Sequence, residues 1–404
     1  MKKTTVLFLD QQSWLGGAQR VLDSVLGSLG TEFDTLVAFP NEGTFRSVLE
    51  ERGVNTLTIP IGNYRSGRKS FLEMAGFAVR SVFCGIRLAR TIRKYRIALV
   101  YINGPRCLLA GVIAAWLTGR PSVFHLHLIL TRRSELFLVT RLSRHISRII
   151  ACSHAAAQSL LNADARLSGK TEVLYSPVPV GNVPAPRPTQ ERIGTATTGF
   201  TVGIVGRITE VKGQHLLLKA VGTLPANVRG KIRLLIIGAP APASKADLRY
   251  ADDLRAIATD YGLTENITWA GYQTDLDSWY ASMDVLVQSA LWAEAMGLVI
   301  LEALRMGIPV IASRIGGIPE IIDDGSNGLL VTPGDEDALR QALARFVEDS
   351  SFREHLQQGA QFGLDDRFTL RSFSPNIRTL VRRLCNLPDA NKIRPSDEKF
   401  AAWK

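Results

Sequence analysis

The sequence predicts an α/β protein built as two Rossmann-like domains facing each other across a cleft. Three observations carry this expectation. At 404 residues the chain exceeds what one hydrophobic core comfortably organises, which favours two domains. Each half alternates short β-like runs with helical stretches, the pattern of a parallel sheet covered by helices. Between the halves lies "SPVPVGNVPAPRPTQERIGTATTG", residues 176–199, with five prolines and no apolar periodicity, which reads as a linker. The expected division is a first domain over 1–180, a linker over 181–199, a second domain over 200–370 and a loose polar tail over 388–404.

Strands are expected at "TVLFLD", "TLVAFP", "ALVYIN", "SVFHLHL" and "RIIACS" in the first half. In the second they are "FTVGIVG", "RLLIIG", "NITWAG", "VLVQS" and "PVIAS". The opening "MKKTTVLFLD" puts two lysines before only four apolar residues, too few for a signal-peptide core or a membrane span. The most apolar longer stretch, 71–92, contains Glu73, Arg80, Arg87 and Arg90 and is not expected to span either. Cys84, Cys107, Cys152 and Cys385 lie far apart, without metal-site spacing, and suit a reducing cytoplasm. The net charge of +11 is uneven. Residues 1–185 hold 23 Lys+Arg against 11 Asp+Glu, a net of +12. Such asymmetry points the first half at something anionic: a nucleic acid, a lipid surface or a phosphorylated substrate. No recognition motif or interleaving of aromatic and basic residues supports nucleic acid.

In open α/β sheets ligands bind beyond the carboxyl ends of the strands, and unusual residues follow several of those ends. After the first strand, Gly16 and Gly17 open a helix, where glycines let a phosphate reach free N–H groups. A Gly-Gly turn before a helix is also a common purely structural device. After "FTVGIVG", Arg207 and Lys212 flank a short loop that leads into a helix near Gly213. Two cations there suit a diphosphate, with Arg able to grip it bidentately; solvated loop charges are the plain alternative.

The stretch "WAEAMGLVILEALRMGIPVIASRIGGIPE", residues 292–320, sets two glutamates beside an apolar run. Glu294 falls in a loop before a helix beginning at Gly297 or Leu298. Glu302 falls within that helix, roughly 7 Å along its axis at ~1.5 Å per residue. The spacing suggests neither a metal site nor an acid/base dyad. It suits two acceptors spread along an extended polyhydroxy ligand, with the N–H groups of Gly297 and Leu298 between them for phosphate. A nucleotide sugar has that layout.

The run "SALWAEAMGLVILEALRMGIPVIASRIGGIPEIIDDGSNGLLVTPGD" resembles the signature of the group 1 retaining glycosyltransferases, the glycogen-synthase-related family with the GT-B fold. The resemblance extends through "VGRITEVKG", "LLIIG" and "NITWAGYQTDLDSWYASMDVLV", and more weakly to "GGAQR" and "SVFHLHL". It implies that Glu302 hydrogen-bonds the nucleotide ribose and that Glu294 faces the donor sugar. Arg207 and Lys212 would hold the diphosphate and stabilise the leaving group, with Gly16 and Gly17 approaching the phosphates. Backbone over Gly271, Tyr272 and Gln273 would edge the base. The family also places a histidine near the donor sugar. His125 and His127 share one strand face by alternation; His127, nearer the strand end, is favoured, and His125 remains open. Three departures stand out: Ser289-Ala290 for the family's Pro-Ser, Met296 for its Phe, and Ser176 where many members carry Asn-Gly.

The implied activity is metal-independent transfer of a sugar from a nucleoside diphosphate sugar to an acceptor hydroxyl, with no bound cofactor and no metal. The acceptor would be a glycan or a polyprenyl-diphosphate-linked sugar of bacterial surface-polysaccharide or glycolipid assembly. A helix over 371–387 would pack back on the first domain. The rivals are a nucleotide-sugar epimerase, which needs acid/base groups not identified here, and a non-catalytic sugar-binding partner, against which the intact Glu294, Glu302, Arg207 and Lys212 argue. From Tyr64 to Arg96 there are nine Lys+Arg and one acid. Arg80, Arg87, Arg90 and Lys94 share a narrow helix face, with Val82, Phe83, Ile86 and Ala89 placed elsewhere. That pattern suits a peripheral position on the anionic inner face of the cell membrane, or else a solvated helix.

Overall fold

A computed structural model of the chain describes residues 3–62, 70–178, 199–362 and 364–388. The expected linker over 181–199 lies outside the described residues apart from Gly199, and so does the polar tail from 389. The chain divides into two compact units, Met1–Pro179 with Asp366–Lys404 and Val180–Asp365.

The first unit carries seven strands: β1 (Thr4–Asp10), β2 (Phe33–Phe39), β3 (Asn55–Thr58), β4 (Leu99–Asn103), β5 (Ser122–Leu126), β6 (Arg148–Ala151) and β7 (Thr171–Val173). They pair in the order β3-β2-β1-β4-β5-β6-β7, all in parallel. Central strands of such a sheet are covered on both faces and read as unbroken apolar runs. Accordingly Val6, Leu7, Phe8 and Leu9 of β1 are fully buried. The order reverses between β1 and β4, where Asp10 and Asn103, the last residue of each strand, stand as partners.

The helix Phe71–Tyr95 opens with a capping box between Ser70 and Glu73 and packs along the helix Leu108–Thr118. Its inward stripe is Ser81, Cys84, Leu88, Ala89 and Ile92, at the spacing of one helical face. The helix Leu370–Leu384 belongs to this unit and packs on the helix Gly17–Leu29. The Ser28 and Ser374 hydroxyls meet at 2.8 Å, Arg378 Nε donates to the Ser28 carbonyl at 3.0 Å, and Arg382 pairs with Glu32. The change of unit falls at Asp365/Asp366, some residues before the expected boundary at 370. Phe368 belongs to the first unit: its ring sits 4.9 Å from that of Tyr175 and its carbonyl accepts from Val178 N at 2.9 Å.

The second unit carries β8 (Phe200–Val205), β9 (Ile232–Ile237), β10 (Ile267–Gly271), β11 (Val285–Gln288), β12 (Val310–Ser313) and β13 (Gly328–Val331). Their order is β10-β9-β8-β11-β12-β13, again parallel. Its core joins Val202 and Ile204 of β8 to Leu217 and Leu218 of the following helix and to Leu343 and Phe346 beyond. Here the reversal lies between β8 and β11. Each unit is thus a doubly wound sheet with one crevice at a switch of strand order, where ligands of this architecture bind.

Candidate active site

In the second unit the residues singled out by the sequence gather beyond the ends of β8 and β11. Arg207 follows β8 and is exposed. Its carbonyl accepts from the Gln214 side chain at 2.9 Å, which closes the loop ahead of the helix Gln214–Gly222. Lys212 sits half-buried in that loop and pairs with Glu294, a residue 82 positions away. The loop is held to the end of β11 by close packing. Gly213 has φ of 69°, and a Cβ there would stand 2.0 Å from the Ser289 carbonyl, so only glycine fits. Ser289 Oγ donates to the Gly213 carbonyl at 2.8 Å, and Leu291 N donates to the Val211 carbonyl at 2.9 Å.

Glu294 is braced from the other side as well. Its carbonyl accepts from Gly317 N at 2.8 Å, so the Gly316-Gly317 pair backs the loop that presents the carboxylate. Gly297 caps the helix Leu298–Arg305 in the left-handed conformation, with φ of 83° and no side-chain cap. The first N–H groups of that helix therefore have no capping side chain at Gly297, the kind of helix start that suits an anion. Glu302 lies inside this helix and is buried. Its Oε2 accepts from the hydroxyl of the fully buried Tyr280 at 2.8 Å. Tyr280 is a site partner that sequence reasoning missed, because nothing at its position hints at a carboxylate 22 residues on. Gly271 ends β10 with φ of 67°. Tyr272 beside it is exposed, and the Gln273 amide folds back onto the Ala270 carbonyl at 2.6 Å.

In the first unit Gly16 precedes the helix Gly17–Leu29, which also lacks a side-chain cap. His125 is the penultimate residue of β5 and is fully buried. Its Nδ1 meets the Tyr101 hydroxyl at 2.7 Å, and its Nε2 has no partner. His127, one residue past the strand, is only part-buried, and its Nε2 meets Asn103 Oδ1 at 2.7 Å. The two imidazoles stack with centroids 3.9 Å apart, as expected of residues sharing one face. Burial pushes the pKa of His127 down to about 3 and that of His125 well below the usual histidine range, so both rings are neutral at ordinary pH. Sequence reasoning also missed Asp10 and Asn103, which join this cluster. Their signal was a polar residue closing an otherwise apolar strand. Among the described residues no three or more His, Cys, Asp or Glu side chains are grouped as a metal site.

The basic helix differs from its expected wheel. Arg80, Arg87, Arg90 and Lys94 are exposed, but so are Val79, Val82 and Phe83; among the apolar residues set apart from the cations, Ala89 alone is buried. The inward stripe needs only one side of the helix, which leaves Phe83 among the arginines. Trp116 and Phe137, on the helices Leu108–Thr118 and Arg133–Ser143, are also largely exposed. No helix among the described residues is long and apolar enough to cross a membrane.

Two doubly wound units, each a parallel sheet covered by helices, define the class of GT-B folds. Comparison with known proteins carries this further. Residues 187–361 match the family model "Glycosyl transferases group 1", and residues 15–181 match that of "Glycosyltransferase Family 4". The second half of the chain thus matches the group 1 glycosyltransferases and the first half the family 4 model, and the architecture is the GT-B fold. It is 33% identical over 178 residues to the lipopolysaccharide core biosynthesis glycosyltransferase LpsE of Rhizobium meliloti, covering 44% of this chain and 48% of that one. It is 31% identical over 204 residues to D-inositol 3-phosphate glycosyltransferase of Corynebacterium urealyticum, covering 49% and 46%. The chain thus spans about half the length of the curated relatives it matches. Among solved structures it resembles Anabaena HepE in complex with UDP, with 25% identity, a TM-score of 0.79 and coverage of 94% and 100%. HepE is also known in complex with UDP-glucose, with the same identity and TM-score.

Proposed function

We propose that the chain is a retaining glycosyltransferase that moves a sugar from a nucleoside diphosphate sugar to an acceptor hydroxyl. The observation that carries this is the Lys212–Glu294 pair beside the open helix start at Gly297, with Glu302 buried further along the same helix. A diphosphate would be met by Lys212, Arg207 and the N–H groups of Leu298 and its neighbours. Glu294, released from Lys212 as the phosphate takes that cation, would face the sugar hydroxyls. Glu302, held by Tyr280, would accept from the ribose, and the loop Gly271–Gln273 would edge the base. In the first unit, Gly16, Gly17 and His127 would take the roles that the family resemblance implies for them. Catalysis would rest on positioning and on stabilising the departing diphosphate, with the two cations in the place of a metal ion and no cofactor beyond the donor. HepE with UDP and UDP-glucose makes a uridine donor the first to test.

The acceptor would be a glycan or a lipid-diphosphate-linked sugar of surface-polysaccharide or glycolipid assembly, as the name of the Rhizobium relative suggests. A depression of about 450 Å³ beyond β2 and β3, lined by Pro40, Thr58, Ile59, Gly62, Arg80 and Arg87, offers two guanidinium groups to its phosphate. The exposed arginines, Phe83 and Val79 of the helix Phe71–Tyr95 would rest on an anionic membrane surface on the cytoplasmic side, at ~1 kcal/mol per basic residue near the surface. The deciding experiment incubates the protein with a panel of nucleotide sugars and membrane-derived acceptors and reads product and anomeric configuration. Transfer with retention is expected. Epimerisation, or thermal stabilisation without turnover, would replace this reading by one of its rivals. Sedimentation with anionic but not neutral vesicles, reversed by salt, is expected of the basic helix; equal recovery with both would refute the membrane contact.

A further inference from the structure

Five residues at the switch point of the first sheet, Gln12, Gln19, Asp10, Asn103 and His127, form one directed chain of hydrogen bonds. Asp10 ends β1, Asn103 ends β4 beside it, and His127 follows β5. Asp10 is buried and accepts three bonds. Gln12 N and Gln19 Nε2 donate to its Oδ1 at 2.9 and 2.8 Å, and Asn103 Nδ2 donates to its Oδ2 at 2.7 Å. Gln19 is itself oriented, since its Oε1 accepts from Gln12 Nε2 at 2.7 Å. The Asn103 amide nitrogen has a second acceptor, the Ala18 carbonyl, at 3.4 Å. A backbone carbonyl can only accept, so the nitrogen of Asn103 must face Asp10 and Ala18, and its oxygen must face the histidine. That oxygen lies 2.7 Å from His127 Nε2. A carboxamide oxygen cannot donate, so Nε2 carries the ring proton.

We infer that Asp10 and Asn103 are positioning residues that fix His127 as its Nε2–H tautomer and leave Nδ1 as a lone-pair acceptor for a ligand hydroxyl at the ends of β4 and β5. The inference rests on the transferase reading only for the nature of that hydroxyl, which would belong to a sugar. The stacked His125 ring holds His127 from one side, so neither the tilt nor the proton of the imidazole is free. The direction is set at Asp10 by the backbone N–H of Gln12 and at Asn103 by the Ala18 carbonyl, and it ends at the ring. An apolar residue at 103 would keep the packing and lose the direction.

The test is nitrogen NMR of protein labelled at histidine. The chain has six histidines, and His127→Gln identifies the signals of His127 by their disappearance. In the wild type His127 is expected to show a protonated Nε2 and an unprotonated Nδ1 at neutral pH. A protonated Nδ1, or an imidazolium, overturns the inference without any variant of the relay. In Asn103→Leu the pattern should move towards a mixture of tautomers; an unchanged pattern would show that Asn103 does not set it. Transfer assays form a separate arm. Asn103→Leu should lower kcat roughly 10-fold, the scale of one hydrogen bond, and should have no further effect in a His127→Gln background. An equal loss in both backgrounds would make Asn103 merely structural. If the chain transfers no sugar, the spectrum still decides the tautomer, so the two readings fail separately.

Discussion

The switch points of the two sheets occupy the same place in their folds and hold opposite chemistry. Beyond β1 and β4 lies a largely buried, hydrogen-bonded cluster around Asp10, Asn103 and His127. Beyond β8 and β11 lies a part-exposed set of full charges: Arg207, Lys212 and Glu294. In the first, low polarity makes an unpaired group costly, and the bonds from Asp10 through Asn103 to His127 fix the geometry before any ligand arrives. In the second, the charges remain partly in water and Lys212 is satisfied by Glu294 until an anion competes for it. One crevice is built for orientation and the other for charge. The transfer proposed above would use both kinds of service, and the same topology supplies two places to put them.

The sharpest way to break this comparison is to remove the charges. Arg207→Ala and Lys212→Ala should each slow transfer by roughly 100- to 1000-fold, the ~2.7–4 kcal/mol typical of one lost electrostatic donor. Arg207 is exposed and Lys212 half-buried, so thermal midpoints should hardly move, and a loss of activity no greater than the loss of folded protein would cancel the phosphate role. Wild-type activity should survive a chelator; activity abolished by chelation and restored by a divalent metal would mean that the cations do not act alone.

The hydrogen-bonded crevice is broken by pH. Burial raises the Asp10 pKa from 3.8 to about 6. A carboxyl whose folded pKa exceeds its unfolded value favours folding when protonated, so its contribution falls as pH rises from 3.8 to about 6 and is constant above. The difference corresponds to about 3 kcal/mol at 1.36 kcal/mol per pH unit. His125 and His127, with lowered values, act in the other direction, losing stability as pH falls below 6.5. Asp10→Asn removes only the first trend. Its thermal midpoint relative to wild type should therefore rise between pH 4 and pH 7, and a constant difference would show that Asp10 does not titrate in this window.

The smallest expected effect concerns Glu302. Glu302→Gln keeps an acceptor for the Tyr280 hydroxyl, so stability should change by less than about 1 kcal/mol, while nucleotide affinity falls. Glu302→Leu strands that hydroxyl and should cost ~1–3 kcal/mol. Calorimetry on both, beside Glu294→Gln, which should lower turnover more than affinity, separates the ribose role from the sugar role. Equal donor affinity in the wild type and Glu302→Gln would remove Glu302 from the nucleotide site.

What the sequence made legible follows the same physics. The central strands stand out because burial on both faces demands unbroken apolar runs, as in "TVLFLD" and "RLLIIG". The edge and near-edge strands β3, β7 and β13 were invisible to that criterion. β3 reads "NTLT" and β7 reads "TEV", too short and polar to announce themselves, and β13 is the four residues "GLLV". The loop residues Arg207, Lys212 and Glu294, and Glu302 within its helix, stand out in the sequence because charge beside an apolar run is costly without a partner. The pairing of Lys212 with Glu294 was not, since it joins two loops that only the fold brings together. Asp10 and Asn103 were missed for a related reason. Each looks like an ordinary strand end until the register sets them side by side.

The return of the helix Leu370–Leu384 to the first unit has a consequence for how such chains can be recombined. The second unit is nested inside the first, entered after residue 179 and left at 365. Exchanging it between relatives is therefore a cassette replacement with two junctions. A graft made by a single splice after residue 179 would import a foreign closing helix, with nothing to ensure that Ser28, Glu32 and the rest of the helix Gly17–Leu29 find the partners they have here in Ser374, Arg378 and Arg382. A chimera that keeps residues from 366 onward with residues 1–179 preserves that seam, and hybrid enzymes built from this family should be designed around it.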